Sequence, residues 1–259
     1  MSIDREKDLL RALSALPLKG LHLKSTLFRN QQQLFDFIRR FPTLVEVSCS
    51  DIRYVEKKNP RPYVGPLPLL PHLRAVNMDD SLWFAALNGT FGSVNKLQKV
   101  TALDVHFDDI PKVGQFLQNT VRNLSEFNIR HLHGIESNPG MTRGRAAWKE
   151  EQKPLVLSHL KALGIDIHDR QRVTGLSPYT MASILGWWIR SLEDSVKEGI
   201  VSALERLTII VGMYKKDYIL RYSNEIWATI DRLLTRDQFP EFKSLRVIIK
   251  AYHPVILSQ

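Results

Sequence analysis

FPTLVEVSCSDIRY, residues 41–54, contains one copy of a pattern that recurs along the chain. Leu44, Val47 and Cys49 are apolar at the spacing apolar-x-x-apolar-x-apolar, and serines alternate with the last two. Such alternation is typical of a strand that buries one face and exposes the other. The stretch is therefore predicted to be an amphipathic strand, in which Cys49 is a buried small hydrophobic residue and not a nucleophile.

The same apolar spacing recurs at seven further places. The eight copies begin at residues 18, 44, 73, 100, 124, 160, 204 and 245, so they start 24 to 44 residues apart. The copy that begins at Leu245 is the poorest, because Lys250 takes its last apolar position. Between copies, apolar residues share helical faces, as Leu34, Phe37 and Ile38 do. One strand, one turn and one helix in about 25 residues is the period of a leucine-rich repeat.

The polar residues of the strands distinguish two α/β architectures. A doubly wound sheet carries helices on both faces, so its strands are apolar almost throughout. Six successive strands here alternate apolar and polar residues instead, which predicts helices on one face only. We expect an irregular leucine-rich-repeat-like solenoid of about eight units, with a parallel sheet on its concave face and helices on its convex face.

The domain organisation follows from the same spacing. Residues 1–17 are predicted to form an N-terminal capping helix, and residues 18–259 a single solenoid. The 36-residue interval after residue 124 predicts a loop insertion at residues 134–154, and the repeats after residue 160 are longer. In a later helix, Trp188 is expected to join the buried stripe, with Trp187 toward its flank, because adjacent positions are about 100° apart.

Residues 37–52, FIRRFPTLVEVSCSDI, resemble the leucine-rich-repeat-like, F-box-associated proteins abundant in mushroom-forming fungi. In that family a helix ends at Phe-Pro and the next strand begins, and the resemblance covers most of residues 18–252. It implies a solenoid that recognises substrates for a ubiquitin ligase. The asparagine or cysteine expected after each strand is mostly replaced, and residues 1–17 leave no room for an F-box. We therefore expect the recognition part of such a receptor without its F-box.

Composition narrows the class of protein. Of 259 residues, 44% are hydrophobic and 24% charged, yet no apolar stretch approaches the ~20 residues of a membrane helix. The charged N-terminus is unlike a signal peptide, and the single cysteine fits a reducing compartment. We expect an intracellular monomer, cytoplasmic or nuclear. The net charge of +9 is spread among acidic residues, which favours a soluble basic surface over a nucleic-acid groove.

The polar positions of the six alternating strands are the candidate binding residues. They would share the concave face, and they comprise His22, Lys24, Ser48, Ser50, Asn77, Asp79, Asp104, His106, Asn128, Arg130, Asp166 and His168. Their mixed charge suits selective contacts with a peptide or loop of another protein. The sequence therefore predicts a non-enzymatic protein-protein interaction module. Binding of nucleic acid or another polyanion through the basic surface is the alternative.

Two Asp–His pairs have the residue types of a catalytic base. Asp104 with His106, and Asp166 with His168, would each place a carboxylate beside an imidazole and could orient a general base. The sequence contains no nucleophile elbow and neither of the two glycine-rich phosphate-binding motifs. We therefore assign no catalytic residue and expect no cofactor.

Two further groups of residues are of types that bind metal ions or anions. His131 and His133 share a face of an extended segment, but no further ligand lies at a suitable spacing, so no metal site is predicted. Arg143 and Arg145 flank a glycine in the predicted loop insertion and form a candidate anion-binding loop.

Overall fold

The computed structural model describes residues 12–13, 15–55, 72, 74–78, 97–103, 105, 110–120, 123–130, 153–167, 178–213, 217–235 and 237–251. Most of the predicted capping helix and nearly all of the predicted loop insertion lie outside these residues. So do six candidate site residues: Asp79, Asp104, His106, Arg143, Arg145 and His168.

Ten strands and four helices lie in the described residues. The strands are β1 (Gly20–Lys24), β2 (Leu27–Phe28), β3 (Glu46–Ser50), β4 (Arg53–Tyr54), β5 (Ala75–Met78), β6 (Lys99–Leu103), β7 (Glu126–Arg130), β8 (Ala162–Ile167), β9 (Arg206–Met213) and β10 (Ser244–Ala251). The helices are α1 (Gln31–Ile38), α2 (Ile110–Thr120), α3 (Pro178–Ser195) and α4 (Asp217–Leu234). A short 3₁₀ helix, Lys197–Gly199, follows α3.

Eight of the strands form one parallel sheet in the order β1-β3-β5-β6-β7-β8-β9-β10. Each strand therefore lies beside the strand that precedes it in this sheet, and every pair is parallel. The short strands β2 and β4 pair with each other in a separate two-stranded sheet. The predicted α/β fold with a parallel sheet is confirmed.

The hydrophobic core lies between one face of this sheet and the helices. Alternate strand residues, such as Val47, Phe127 and Ile209, are at most 2% exposed, and they belong to one cluster with apolar residues of all four helices. Burial of such a side chain stabilises the fold by about 1.5–3 kcal/mol. The remaining strand residues point to the opposite face of the sheet, called the open face below.

Local sequence sets the bounds of α1. Asn30 precedes the helix, and its side-chain oxygen accepts a hydrogen bond of 3.1 Å from the backbone N–H of Gln33. At the other end, Pro42 has no backbone N–H and cannot extend the helix. The Phe-Pro step at residues 41–42 therefore separates α1 from β3.

In β6, the predicted position of the apolar-x-x-apolar-x-apolar pattern (its frame) is wrong by three residues. Val76 pairs with Val100 and Met78 with Ala102, so the apolar spacing in this copy begins at Leu97 rather than at Val100. Leu97, Val100 and Ala102 are all at most 2% exposed, as the core positions of the pattern require.

The frame predicted for β10 is wrong in the same way. Leu245 pairs with Leu207, so Leu245 is the second apolar position of its copy, and the copy begins at Phe242. In β10 an apolar residue, Ile248, also lies on the open face. The sequence then allows more than one position for the pattern, and pairing with the neighbouring strand selects one of them.

No helix among the described residues combines the length and the apolar character needed to cross a lipid bilayer.

Candidate functional site

Side chains on the open face form three rows that run across the strands. The first row contains Gly20, Glu46, Ala75, Lys99, Glu126, Ala162, Arg206 and Ser244. The second row contains His22, Ser48, Asn77, Thr101, Asn128, Gly164, Thr208 and Arg246. The third row contains Lys24, Ser50, Arg130, Asp166, Ile210 and Ile248.

A cleft of about 440 Å³ lies over these rows. Residues of seven strands line it, from Glu46 on β3 to Arg246 and Ile248 on β10. Since adjacent strands lie about 4.8 Å apart, six intervals make the cleft about 29 Å long.

The structure brings four of the predicted site residues together in the cleft: Asn77, Asn128, Arg130 and Asp166. Four others, His22, Lys24, Ser48 and Ser50, lie on the same face on β1 and β3, beside the cleft. The remaining four candidates of the concave face and both arginines of the candidate anion-binding loop are outside the described residues.

Sequence reasoning missed several cleft residues for two identifiable reasons. Lys99 and Thr101 were missed because the β6 frame was displaced by three residues. Glu46 and Glu126 were missed because they precede the first polar position that was counted in their strands, although the period-two pattern continues through them.

Glu126 organises the centre of the first row. Its Oε1 lies 2.8 Å from Lys99 Nζ and accepts a hydrogen bond of 3.0 Å from Asn128 Nδ2. Burial raises the pKa of Glu126, but the hydrogen bonds from Lys99 and Asn128 outweigh burial, so the pKa lies below its usual value. Glu126 is therefore ionised at neutral pH and holds Lys99 and Asn128 in place.

Gly164 provides room for the Asn128 side chain. The two residues are register partners, and a Cβ atom at residue 164 would overlap Asn128 Oδ1. The absence of a side chain on β8 therefore lets Asn128 lie across the neighbouring strand.

Some charged side chains in the cleft have a partner of opposite charge among the described residues, and others do not. Asp166 is 3% exposed, and its Oδ2 lies 3.7 Å from Lys250 Nζ. By contrast, Arg130 and Arg246 are exposed, and neither forms a salt bridge with another residue in the described part of the chain. The β7–β10 end of the cleft therefore carries two exposed guanidinium groups, which suit a carboxylate or phosphate ligand.

Outside the cleft, His159 is a half-buried residue that immediately precedes the β8 copy of the pattern. Both ring nitrogens are buried and have no hydrogen-bond partner among the described residues, and burial lowers the pKa of His159 to about 4. The described residues contain no group of three or more His, Cys, Asp or Glu side chains that could hold a metal ion.

We predict that His159 makes stability depend on pH above the range in which carboxylates titrate. In the unfolded chain the ring binds a proton near pH 6.5, whereas the folded chain resists protonation until about pH 4. Its contribution is fully present above pH 6.5 and is lost as the pH falls toward 4. Urea denaturation should show a loss of roughly 1 kcal/mol between pH 7 and pH 5, allowing for partial screening by solvent.

The matched variants are His159→Phe and, at an exposed position, His22→Phe. His159→Phe should flatten the pH dependence in this range, and His22→Phe should keep it. An unchanged slope in the His159 variant would contradict the assignment.

No protein-family model matches this chain, and no curated protein shows significant sequence similarity to it.

Proposed function

We propose that this chain is a leucine-rich-repeat-like solenoid that binds a protein partner on the open face of its sheet. The parallel strands follow chain order, and the four described helices contribute to a core on one face only. This arrangement supports a stack of strand-and-helix units, which offers an extended concave surface for recognition.

The observation that carries the proposal is the cleft. Its length of about 29 Å matches eight or nine residues of extended chain at about 3.3 Å per residue. Its lining combines hydrogen-bonding side chains such as Asn77 and Thr208 with both signs of charge. A surface of this kind favours selective polar contacts with a peptide or a loop.

The resemblance of residues 37–52 to F-box-associated proteins supports a narrower proposal. The bound protein would be a substrate that is presented to a ubiquitin ligase, and the chain would act as the recognition part of the receptor. The binding of nucleic acid is less well supported, because single-stranded nucleic acids are bound on stacking aromatic side chains. None of the described residues that line the cleft is aromatic.

Steric blocking of the cleft tests the proposal. Thr208 lies in the second row at the centre of the β7–β10 half, so Thr208→Trp should fill the cleft without changing its charge. Gln118→Trp, on the exposed surface of α2, adds the same side chain away from the sheet and serves as the control. Each tagged protein would be incubated with a cell lysate at physiological salt, with and without nuclease, and the retained proteins compared.

Proteins that are retained by the wild type and by Gln118→Trp, but not by Thr208→Trp, would support binding in the cleft. The proposal fails if Thr208→Trp retains the same proteins as the wild type. It also fails if retention disappears on nuclease treatment, since the ligand would then be nucleic acid.

A further inference from the structure

We infer that the β7–β10 end of the cleft selects an acidic peptide segment, in which two carboxylates bind Arg130 and Arg246. This inference rests on the proposed function and specifies the chemistry of the partner. Arg130 and Arg246 are exposed, line the same cleft, and form no salt bridge with a described residue. An acidic segment would supply the opposite charges, and a guanidinium group binds a carboxylate through two parallel hydrogen bonds.

The two acidic residues that line the β7–β10 end of the cleft do not already neutralise these arginines. Glu126 is held by Lys99 and Asn128, and Asp166 lies near Lys250. Each of these carboxylates therefore has a partner within the protein. Among the described residues, the charge that remains at this end of the cleft is positive, and the net charge of +9 would attract an acidic partner over longer distances.

The spacing of the arginines specifies the peptide. Arg130 on β7 and Arg246 on β10 are three strand intervals apart and one row apart, which places their backbones about 16 Å from each other. In an extended peptide, residues i and i+4 are about 13 Å apart and point to the same side. Arginine side chains are long enough to cover the difference, so acidic residues at i and i+4 fit both guanidinium groups.

An apolar pair beside the arginines specifies the middle of the peptide. Ile210 and Ile248 lie side by side in the third row, and both are half-buried. The side chain at i+2 points to the same side as the two carboxylates and would contact this apolar pair. The expected ligand is therefore an extended segment with an acidic, an apolar and an acidic residue at alternate positions.

Peptide binding measured by fluorescence anisotropy tests the inference. The probe is a labelled synthetic peptide with glutamates at i and i+4 and leucine at i+2, compared with the same peptide carrying glutamines and with single-stranded oligothymidylate. The wild-type protein should bind the glutamate peptide at least tenfold more tightly than the glutamine peptide. Arg130→Glu combined with Arg246→Glu should abolish this preference.

Arg190→Glu combined with Arg232→Glu makes the same change of charge at exposed positions of α3 and α4, and it should keep the preference. Circular dichroism would establish that both double variants are folded. Equal binding of the glutamate and glutamine peptides would overturn the inference, as would tighter binding of oligothymidylate than of the glutamate peptide. The blocking experiment with Thr208→Trp is independent of charge, so it would show whether the proposed function survives such a result.

Discussion

Replacing Trp188 with alanine should lower the free energy of unfolding by about 3–5 kcal/mol, as measured by urea denaturation. The side chain is 1% exposed on α3, and its ring packs edge-on against Trp187 with centroids 4.8 Å apart. Nε1 of Trp188 is buried without a hydrogen-bond partner among the described residues, so the stabilisation comes from packing. Truncation to alanine would leave a cavity where the indole ring packs.

Two comparisons make this expectation specific. Trp188→Phe keeps an aromatic ring in the core and removes the unpaired N–H group, so it should cost less than Trp188→Ala. Trp227→Ala removes the same side chain from a half-buried position on α4 and should also cost less. A loss below about 1.5 kcal/mol for Trp188→Ala would contradict the packing described for α3.

Replacing Ser195 with alanine should lower the free energy of unfolding by about 2–4 kcal/mol, because it leaves buried backbone groups without partners. Ser195 Oγ accepts a hydrogen bond of 2.8 Å from the backbone N–H of Leu157. The single hydroxyl hydrogen can be donated to the carbonyl oxygen of Leu155, at 3.0 Å, or of Ser191, at 2.6 Å. Alanine can make neither contact.

Two serines of α3 can bind residues 155–157 because their spacing on the helix matches the spacing of the backbone N–H groups that they accept from. Ser191 Oγ accepts from the backbone N–H of Leu155 at 3.2 Å, just as Ser195 Oγ accepts from that of Leu157. Residues four apart on a helix are about 6.0 Å apart along its axis. Alternate residues of an extended segment are about 6.6 Å apart, so the two spacings nearly match.

Thr229→Ala is the control for Ser195→Ala. The Thr229 hydroxyl also donates to the carbonyl oxygen four residues earlier, at 2.7 Å, but it is accessible to solvent and this bond stays within α4. Its removal should change stability by no more than about 0.5 kcal/mol. Equal effects of the two substitutions in urea denaturation would show that the contact of Ser195 with residues 155–157 contributes nothing.

The sequence was a good guide to the parallel sheet, because amphipathic strands carry their burial pattern in the order of their residues. Val47 and Cys49 are 2% and 0% exposed, as the alternation predicts. The predicted position of the pattern failed where both faces of a strand are apolar, as at Ile248 in β10, since only pairing between strands then fixes the register. The separate pair of short strands, β2 and β4, has too few residues to show a period.

Contacts between segments distant in sequence limited the other predictions. Trp187 was expected toward the flank of its helix, yet it is 1% exposed, so that expectation was wrong. Residues 155–157 bind the same helix through Ser191 and Ser195. The periodicity of neither residues 155–157 nor the helix predicts this contact. In the cleft, the polar alternation located Asn77 and Asn128, whereas the role of Gly164 depends on the neighbouring strand and could not be predicted.

The order of strands in the main sheet bears on how the chain folds during translation. Because each strand of this sheet pairs with the one before it, its partner has always been synthesised already. At about 5–20 residues per second, copies that start 24 to 44 residues apart are completed roughly every 1–9 seconds. Loop closure and strand pairing take far less time than that. The sheet can therefore grow from its N-terminal edge at the pace of the ribosome, with one new edge strand exposed at each stage.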